Sequence, residues 1–158
     1  MATVALVVTS DRVFRGEKQD EVTPLVQDLA SKAGHVVAYR EVVPNDAVAI
    51  RRAVERAVSV ADLVIVSGGT GPSPRDLSIE AVEPMASKRL PGFGELFRLR
   101  SFDEVGYGAI LTRAEAYVVS SSLVVVTPGS PSAVRLAVQL VLPILGHAVE
   151  QIRGTPHH

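Results

Sequence analysis

Three short runs constrain the fold most, because each is apolar with almost no interruption: Ala2 to Thr9 (ATVALVVT), Leu63 to Val66 (LVIV) and Leu123 to Thr127 (LVVVT). Consecutive β-branched residues suit extended chain, and a run that does not alternate with polar residues reads as a strand buried on both faces. Each run leads into a turn rich in glycine, proline or hydroxyl groups. Helical patterns separate the runs. Strands that alternate with helices predict a mostly parallel sheet covered on both sides. The expected fold class is therefore α/β, a three-layer, doubly wound, mostly parallel sheet with helices on both faces.

A chain of 158 residues suits one domain, assigned here to residues 1–153 with a short tail at 154–158. Only 4% of residues are aromatic against 47% apolar, so Val, Ala and Leu must fill the core. The absence of cysteine removes disulfides and thiolate metal sites. A formal net charge of −1 argues against a nucleic-acid partner. With no apolar run judged long enough to span a bilayer and no basic leader ahead of the first strand, the expectation is a cytoplasmic protein with no membrane partner.

After the first strand, Ser10 to Glu21 reads as a loop. Thr23-Pro24 suits an N-cap with proline at the first helical position, and Leu25, Val26, Leu29 and Ala33 continue a helix closed by Gly34. His35 to Val43 reads as a second strand. Asn45 or Asp46 then caps a helix carrying Ile50, Val54 and Ala57. Between Ile79 and Leu111, Pro84 and Pro91-Gly92 break the pattern, and Phe93 to Leu99 is the clearest helical piece. Tyr117 to Val119 suits a short strand before the last apolar run. Ser130 caps the final helix, Pro131 opens it, and Pro143 kinks it.

A parallel sheet brings the turns after its strands to one edge, where open α/β sheets place their ligands. That edge collects Thr9-Ser10-Asp11, Asn45-Asp46, the run Ser67-Gly68-Gly69-Thr70-Gly71-Pro72-Ser73-Pro74-Arg75-Asp76, and Pro128-Gly129-Ser130. A glycine-rich turn between a strand and a helix lets backbone N–H groups approach phosphate. The central loop lacks the lysine of a P-loop, and it follows the third strand without the third glycine of a dinucleotide site. Asp76 reads either as a turn carboxylate or as a Mg²⁺ ligand or general base, with Asp11 and Asp46 on the same edge. Arg75 suits phosphate or a surface carboxylate; Ser10 and Ser130 suit caps, ligands or both. Glu95 suits either a solvated helix or the cleft. The histidines (His35, His147, His157, His158) form no visible triad with a serine and an aspartate.

Ser67-Gly68-Gly69-Thr70-Gly71 with Arg75-Asp76 and Glu80-Ala81 resembles the molybdenum-cofactor biosynthesis family, which includes the MogA and MoaB proteins and the corresponding domain of gephyrin. Thr9-Ser10-Asp11, Leu90 to Glu95, Leu111-Thr112-Arg113 and Pro128 to Pro131 match in the family's order, and the end of the chain looks more like the MoaB branch. The resemblance implies a MogA/MoaB-like fold and Mg²⁺-dependent transfer of AMP from ATP to the terminal phosphate of molybdopterin, releasing pyrophosphate. It places substrates at Thr9, Ser10, Asp11, Ser67 to Gly71, Arg75, Glu95, Pro128, Gly129 and Ser130, with catalysis and Mg²⁺ at Asp76 and Asp46. It also implies a trimer or hexamer and, as partner, a protein that inserts molybdenum. Where the family commonly carries Pro-Asp after the second strand, this chain has Pro44-Asn45-Asp46. Asp46 is then a stand-in ligand after a one-residue adjustment, or only a cap. A non-catalytic molybdopterin carrier is the alternative function.

Overall fold

The three apolar runs become neighbouring strands at the centre of one sheet in a computed structural model, which describes residues 1–154. The strands are β1 (Thr3–Thr9), β2 (Val36–Val43), β3 (Leu63–Ser67), β4 (Lys88–Leu90), β5 (Glu115–Val119) and β6 (Ser122–Thr127), in the order β2-β1-β3-β6-β5-β4. Pairs β1–β2, β1–β3 and β3–β6 are parallel, while β5 and β4 add an antiparallel flank. The tail beyond Gly154, with His157 and His158, lies outside the described residues.

Alternate side chains of each central strand enter opposite cores, which is why the runs carry no polar alternation. Val4, Leu6, Ile65 and Val125 pack beneath α2 (Val22–Lys32), α6 (Pro131–Val141) and α7 (Leu145–Ile152). Ala5, Val7, Val64, Val66 and Val124 pack against Ile50, Ala53, Val54 and Ala57 of α3 (Ala47–Val58) and Ala81 and Val82 of α4 (Ser78–Val82). Each such aliphatic side chain, fully buried, contributes about 1.5–3 kcal/mol relative to exposure.

Several local expectations shift. The segment after β1 is not all loop: Ser10 caps a single turn of helix, α1 (Asp11–Phe14). Helix α2 starts before Thr23, because the Asp20 carboxylate accepts the N–H groups of Val22 and Thr23, each at 3.0 Å. Helix α5 runs from Pro91 to Val105, well past Leu99. At Pro143 the last helix does not merely kink; a 3₁₀ turn over Leu142–Ile144 separates α6 from α7. The 22 residues Pro131–Ile152, with a mean hydropathy of 1.5, are long and apolar enough to cross a membrane by length and composition, contrary to the expectation from the sequence. Here their apolar face (Val134, Ala137, Val138, Val141, Leu145, Val149) closes one core of the sheet.

Candidate active site

Parallel register sets the site. Ser67 pairs with Val8 on one side and Thr127 on the other, and Thr9 pairs with Val43, so four strands end side by side. The turns that follow enclose a cavity of about 520 Å³ bounded by Thr9, Ser10, Asp11, Asn45, Ser67 and Gly69, with Gly129 and Ser130 opposite. A second cleft of about 430 Å³ lies beyond the glycine loop, lined by Thr70, Gly71, Asp76, Pro128 and the wall formed by Ser101, Val105, Ala109 and Leu111. Gly69, Gly129 and Ser130 border both.

The glycine loop is built to expose donors. Gly68 and Gly69 have φ of +101° and +76°, a region open to glycine at little cost. A side chain on Gly68 would collide with the Thr9 carbonyl, and one on Gly69 with Ser78. The carbonyls of Gly68 to Gly71 all have partners. Ser78 Oγ donates to Gly68 O (2.7 Å), Ser78 N–H to Gly69 O (3.1 Å), Arg113 N–H to Thr70 O (2.9 Å) and Arg113 Nη2 to Gly71 O (2.8 Å). In a trans peptide the N–H points opposite to the C=O. The N–H groups of Gly69, Thr70 and Gly71 are thereby turned away from Ser78 and Arg113, and they meet no protein acceptor among the described residues.

Asp76 closes this loop on itself. Its Oδ2 accepts the Ser73 N–H at 3.1 Å, and a Cβ on Gly71 would lie 2.6 Å from that oxygen. Its other oxygen has no protein partner among the described residues. Across the first cleft, Asp11 Oδ1 accepts the Asn45 N–H (2.9 Å), its Oδ2 is ion-paired with Arg75, and the Thr9 hydroxyl donates to Asn45 Oδ1 (3.0 Å). Ser10 and Ser130 accept the N–H groups of Val13 (3.2 Å) and Ala133 (3.3 Å), capping α1 and α6.

Arg12, Arg15 and Lys18 bring positive charge to the first cleft. Arg15 pairs with Glu17 at 3.0 Å, whereas no carboxylate among the described residues lies within ion-pair distance of Arg12 or Lys18. Asp20 lies on the same cavity. Burial alone pushes its carboxyl up, but hydrogen bonds from the Thr23 hydroxyl and N–H, from Arg40 and from the Val22 N–H outweigh it and hold the group below the usual aspartate range. The Glu80 carboxyl is held low by its hydrogen bonds with Arg113, against the opposing effect of burial. No cluster of three or more His, Asp or Glu side chains suited to a metal occurs among the described residues. The second cleft offers Asp76 alone. One carboxylate completed by phosphate oxygens and water is an ordinary donor set for Mg²⁺, so the chemistry of the site fits that ion.

The structure thus gathers Thr9, Ser10, Asp11, Ser67, Gly69, Gly129 and Ser130 around one cleft, and Thr70, Gly71, Asp76 and Pro128 around the other. Gly68 lies behind the loop against Thr9, and Arg75 bridges to Asp11. Asp46 is turned away: its Oδ2 caps α3 through the Ala49 N–H at 2.8 Å, and Asn45 lines the cavity instead. Glu95 is exposed on α5 and lines neither cleft. The sequence offers Arg113 only within the matching run Leu111-Thr112-Arg113 and gives it no role; its contacts go to loop carbonyls and to Glu80. Nor does it assign one to the wall of the second cleft, formed by Ser101 and Val105 of α5 and by Ala109 and Leu111 just after it.

The family model described as "Probable molybdopterin binding domain" matches residues 5–147. The "Molybdenum cofactor biosynthesis protein B" of Bacillus subtilis is 41% identical over 143 residues, which are 88% of this chain and 84% of that protein. A Pyrococcus furiosus protein named "Molybdopterin adenylyltransferase" is 37% identical over 153 residues, 94% of this chain and 89% of that one. The crystal structure of the tungsten cofactor synthesizing protein MoaB from P. furiosus superposes with a TM-score of 0.90 at 34% identity, covering 97% of this chain and 98% of the other. With the glycine loop, its companion turns and the sheet order all in place, the chain belongs to the MogA/MoaB family of molybdenum cofactor biosynthesis proteins, on the MoaB side.

Proposed function

We propose that the protein transfers AMP from ATP to the terminal phosphate of molybdopterin. The observation that carries this reading is the pair of clefts meeting at Gly69, Gly129 and Ser130, with the unpartnered N–H groups of Gly69 at the junction and of Thr70 and Gly71 on the second cleft. A terminal phosphate oxygen of the pterin attacks the α-phosphorus of ATP. A new P–O bond forms there while the bond to the α–β bridging oxygen breaks, and pyrophosphate leaves with that electron pair. The nucleophile belongs to the substrate, so the protein needs no activated serine or cysteine. Its task is alignment and charge stabilisation, and fixed donors in a shaped cleft supply both.

The N–H groups of Gly69, Thr70 and Gly71 hold phosphate oxygens, and Arg12, Lys18 and Arg75 attract the anionic reactants, Arg75 exchanging Asp11 for phosphate. Asp76 would hold Mg²⁺, and the ion, when bound, would offset repulsion between the two anions. The name of the P. furiosus relative supports the activity. Exposed apolar side chains on α5 and the turn after it (Leu99, Phe102, Val105, Ile110, Leu111) support self-association, as a trimer or a hexamer. The work is cytoplasmic, and the adenylylated product passes to a protein that inserts molybdenum. Purified protein given ATP, Mg²⁺ and molybdopterin should release pyrophosphate; release no faster than without protein would refute the reading.

A second reading, a molybdopterin carrier without turnover, is favoured by one observation. Asn45 brings a neutral group, already engaged by Thr9, to the position where the resemblance expects aspartate. Calorimetry separates the two: tight pterin binding without pyrophosphate release supports the carrier.

A further inference from the structure

We propose that Arg113 is the positioning residue of this site: from behind the glycine loop its side chain sets the place of Asp76, while its backbone N–H orients the Gly71 donor. It lines neither cleft, facing instead a separate polar groove of about 350 Å³ shared with Glu83, Arg89 and Glu115. Its backbone N–H holds Thr70 O at 2.9 Å. Its guanidinium holds Gly71 O through Nη2 (2.8 Å) and Nε (3.2 Å), and Asp76 O through Nη2 (3.2 Å). The same group is ion-paired with Glu80, in the first turn of α4, which fixes its plane. One planar side chain thus ties together the two ends of the loop segment 71–76 and anchors both to a helix.

Two consequences follow from peptide geometry. The Arg113 backbone N–H, which alanine or lysine would also supply, pins Thr70 O and directs the Gly71 N–H to the opposite side; the guanidinium adds the second constraint. Pinning Gly71 O and Asp76 O together sets the chord of the loop, and with it the place where the Asp76 carboxylate rests against Gly71. A lysine cannot reproduce this, because an ammonium is a point donor without the flat fork that reaches two carbonyls and a carboxylate at once. The Arg113 side chain is 37% exposed, so a small cation from solvent can reach the place it occupies.

The inference rests on the adenylyl-transfer reading for its kinetic arm only; a second arm needs no turnover. In the full-length protein, Arg113→Ala should lower kcat about 100-fold, with KM for ATP changed by less than about threefold. Arg113→Lys should recover less than a tenth of the loss, and added guanidinium ion should restore much of the Arg113→Ala rate. In the ligand-free protein, amide hydrogen exchange should accelerate in Arg113→Ala at Ser73, Asp76 and Ser78, whose N–H groups are bonded within the loop, and stay unchanged in β3 and β6. If wild-type protein releases no pyrophosphate, the functional reading falls and the exchange arm alone decides on Arg113. Unchanged loop exchange overturns the inference. So does acceleration spread evenly over the sheet, or, in an active enzyme, a kcat that survives Arg113→Lys.

Discussion

Replacing Gly69 by alanine tests the architecture of the loop. The backbone there has a φ of +76°, which costs an L-residue about 1–2 kcal/mol. The added Cβ would also overlap Ser78 Oγ and lie 3.1 Å from both Ser78 Cβ and Ser78 N. Ser78 is wholly buried and donates to Gly68 O at 2.7 Å, so pushing its hydroxyl aside strands a donor and an acceptor away from water. That adds about 1–3 kcal/mol. The total is about 2–5 kcal/mol, a fall in Tm of about 4–20 °C for a domain of this size. Gly16→Ala is the control. Its φ of +75° is nearly the same, but nothing lies within 4 Å of the added carbon, so only the backbone cost remains, about 2–8 °C. A Ser78→Ala background should soften Gly69→Ala by at least about 1 kcal/mol, because the colliding oxygen is gone. Thermal and urea unfolding of the wild type, the three single variants and the Gly69–Ser78 double variant measures this directly. If Gly69→Ala melts with Gly16→Ala, or if the Gly69 and Ser78 costs simply add, the packing argument is wrong.

Asp76→Asn should abolish pyrophosphate release and leave the Tm within about 2 °C, since an amide oxygen can still accept the Ser73 N–H. Asn45→Asp should raise turnover and make the Tm rise on adding Mg²⁺ more than in wild type; without the ion the new carboxylate, whose backbone N–H binds Asp11, should destabilise the fold. Asp20 is held low in the folded state, so its contribution is present above the unfolded value, near pH 4, and is lost as pH falls through the folded value. Melting curves between about pH 7 and pH 3 should therefore show an acid loss of stability that is smaller in Asp20→Asn. Leu99→Asp with Ile110→Asp, both on exposed apolar positions, should move the protein to a smaller species in sedimentation, with residual monomer folded by circular dichroism.

What was legible in the sequence was what local chemistry dictates. The strands β1, β3 and β6 declared themselves because burial on both faces keeps polar residues to the strand ends. The cap at Ser130 follows from a hydroxyl group placed where helix N–H groups lack partners, whereas at Ser10 the hydroxyl is visible but the single turn it caps is not. By contrast, β4 is three exposed residues made into a strand only by pairing with β5, a long-range fact with no local pattern. Helix α5 was cut short because its apolar period points the wrong way: Leu96, Leu99 and Phe102 face outward while Gly94, Phe97 and Ser101 are buried. Asp46 satisfied two local descriptions, cap and metal ligand, and only the backbone of α3 could choose between them. Arg113 joins Asp76 from 37 residues away, through carbonyls that every residue carries.

That last contact bears on the choice between transferase and carrier. Binding one phosphate needs donors alone, and charge-assisted hydrogen bonds contribute about 1.5–3 kcal/mol each, so the N–H groups of Gly69, Thr70 and Gly71 suffice for a carrier. Transfer demands more, because two anionic phosphates must approach one another, and at 4 Å each pair of unit charges repels by about 4 kcal/mol at an effective dielectric near 20. Donors on one side of a phosphate do not remove that repulsion; positive charge between the reactants does. Arg75 can supply some only by leaving Asp11, and Asp76 can supply it only through a cation. A carrier would have no use for a loop whose chord, carboxylate and helix anchor are tied by one guanidinium, since binding tolerates small displacements that alignment for transfer does not. The Arg113 clamp therefore favours catalysis. On that reading Asn45 would bear on the rate of transfer rather than on phosphate binding, since the loop donors are free whichever residue stands there.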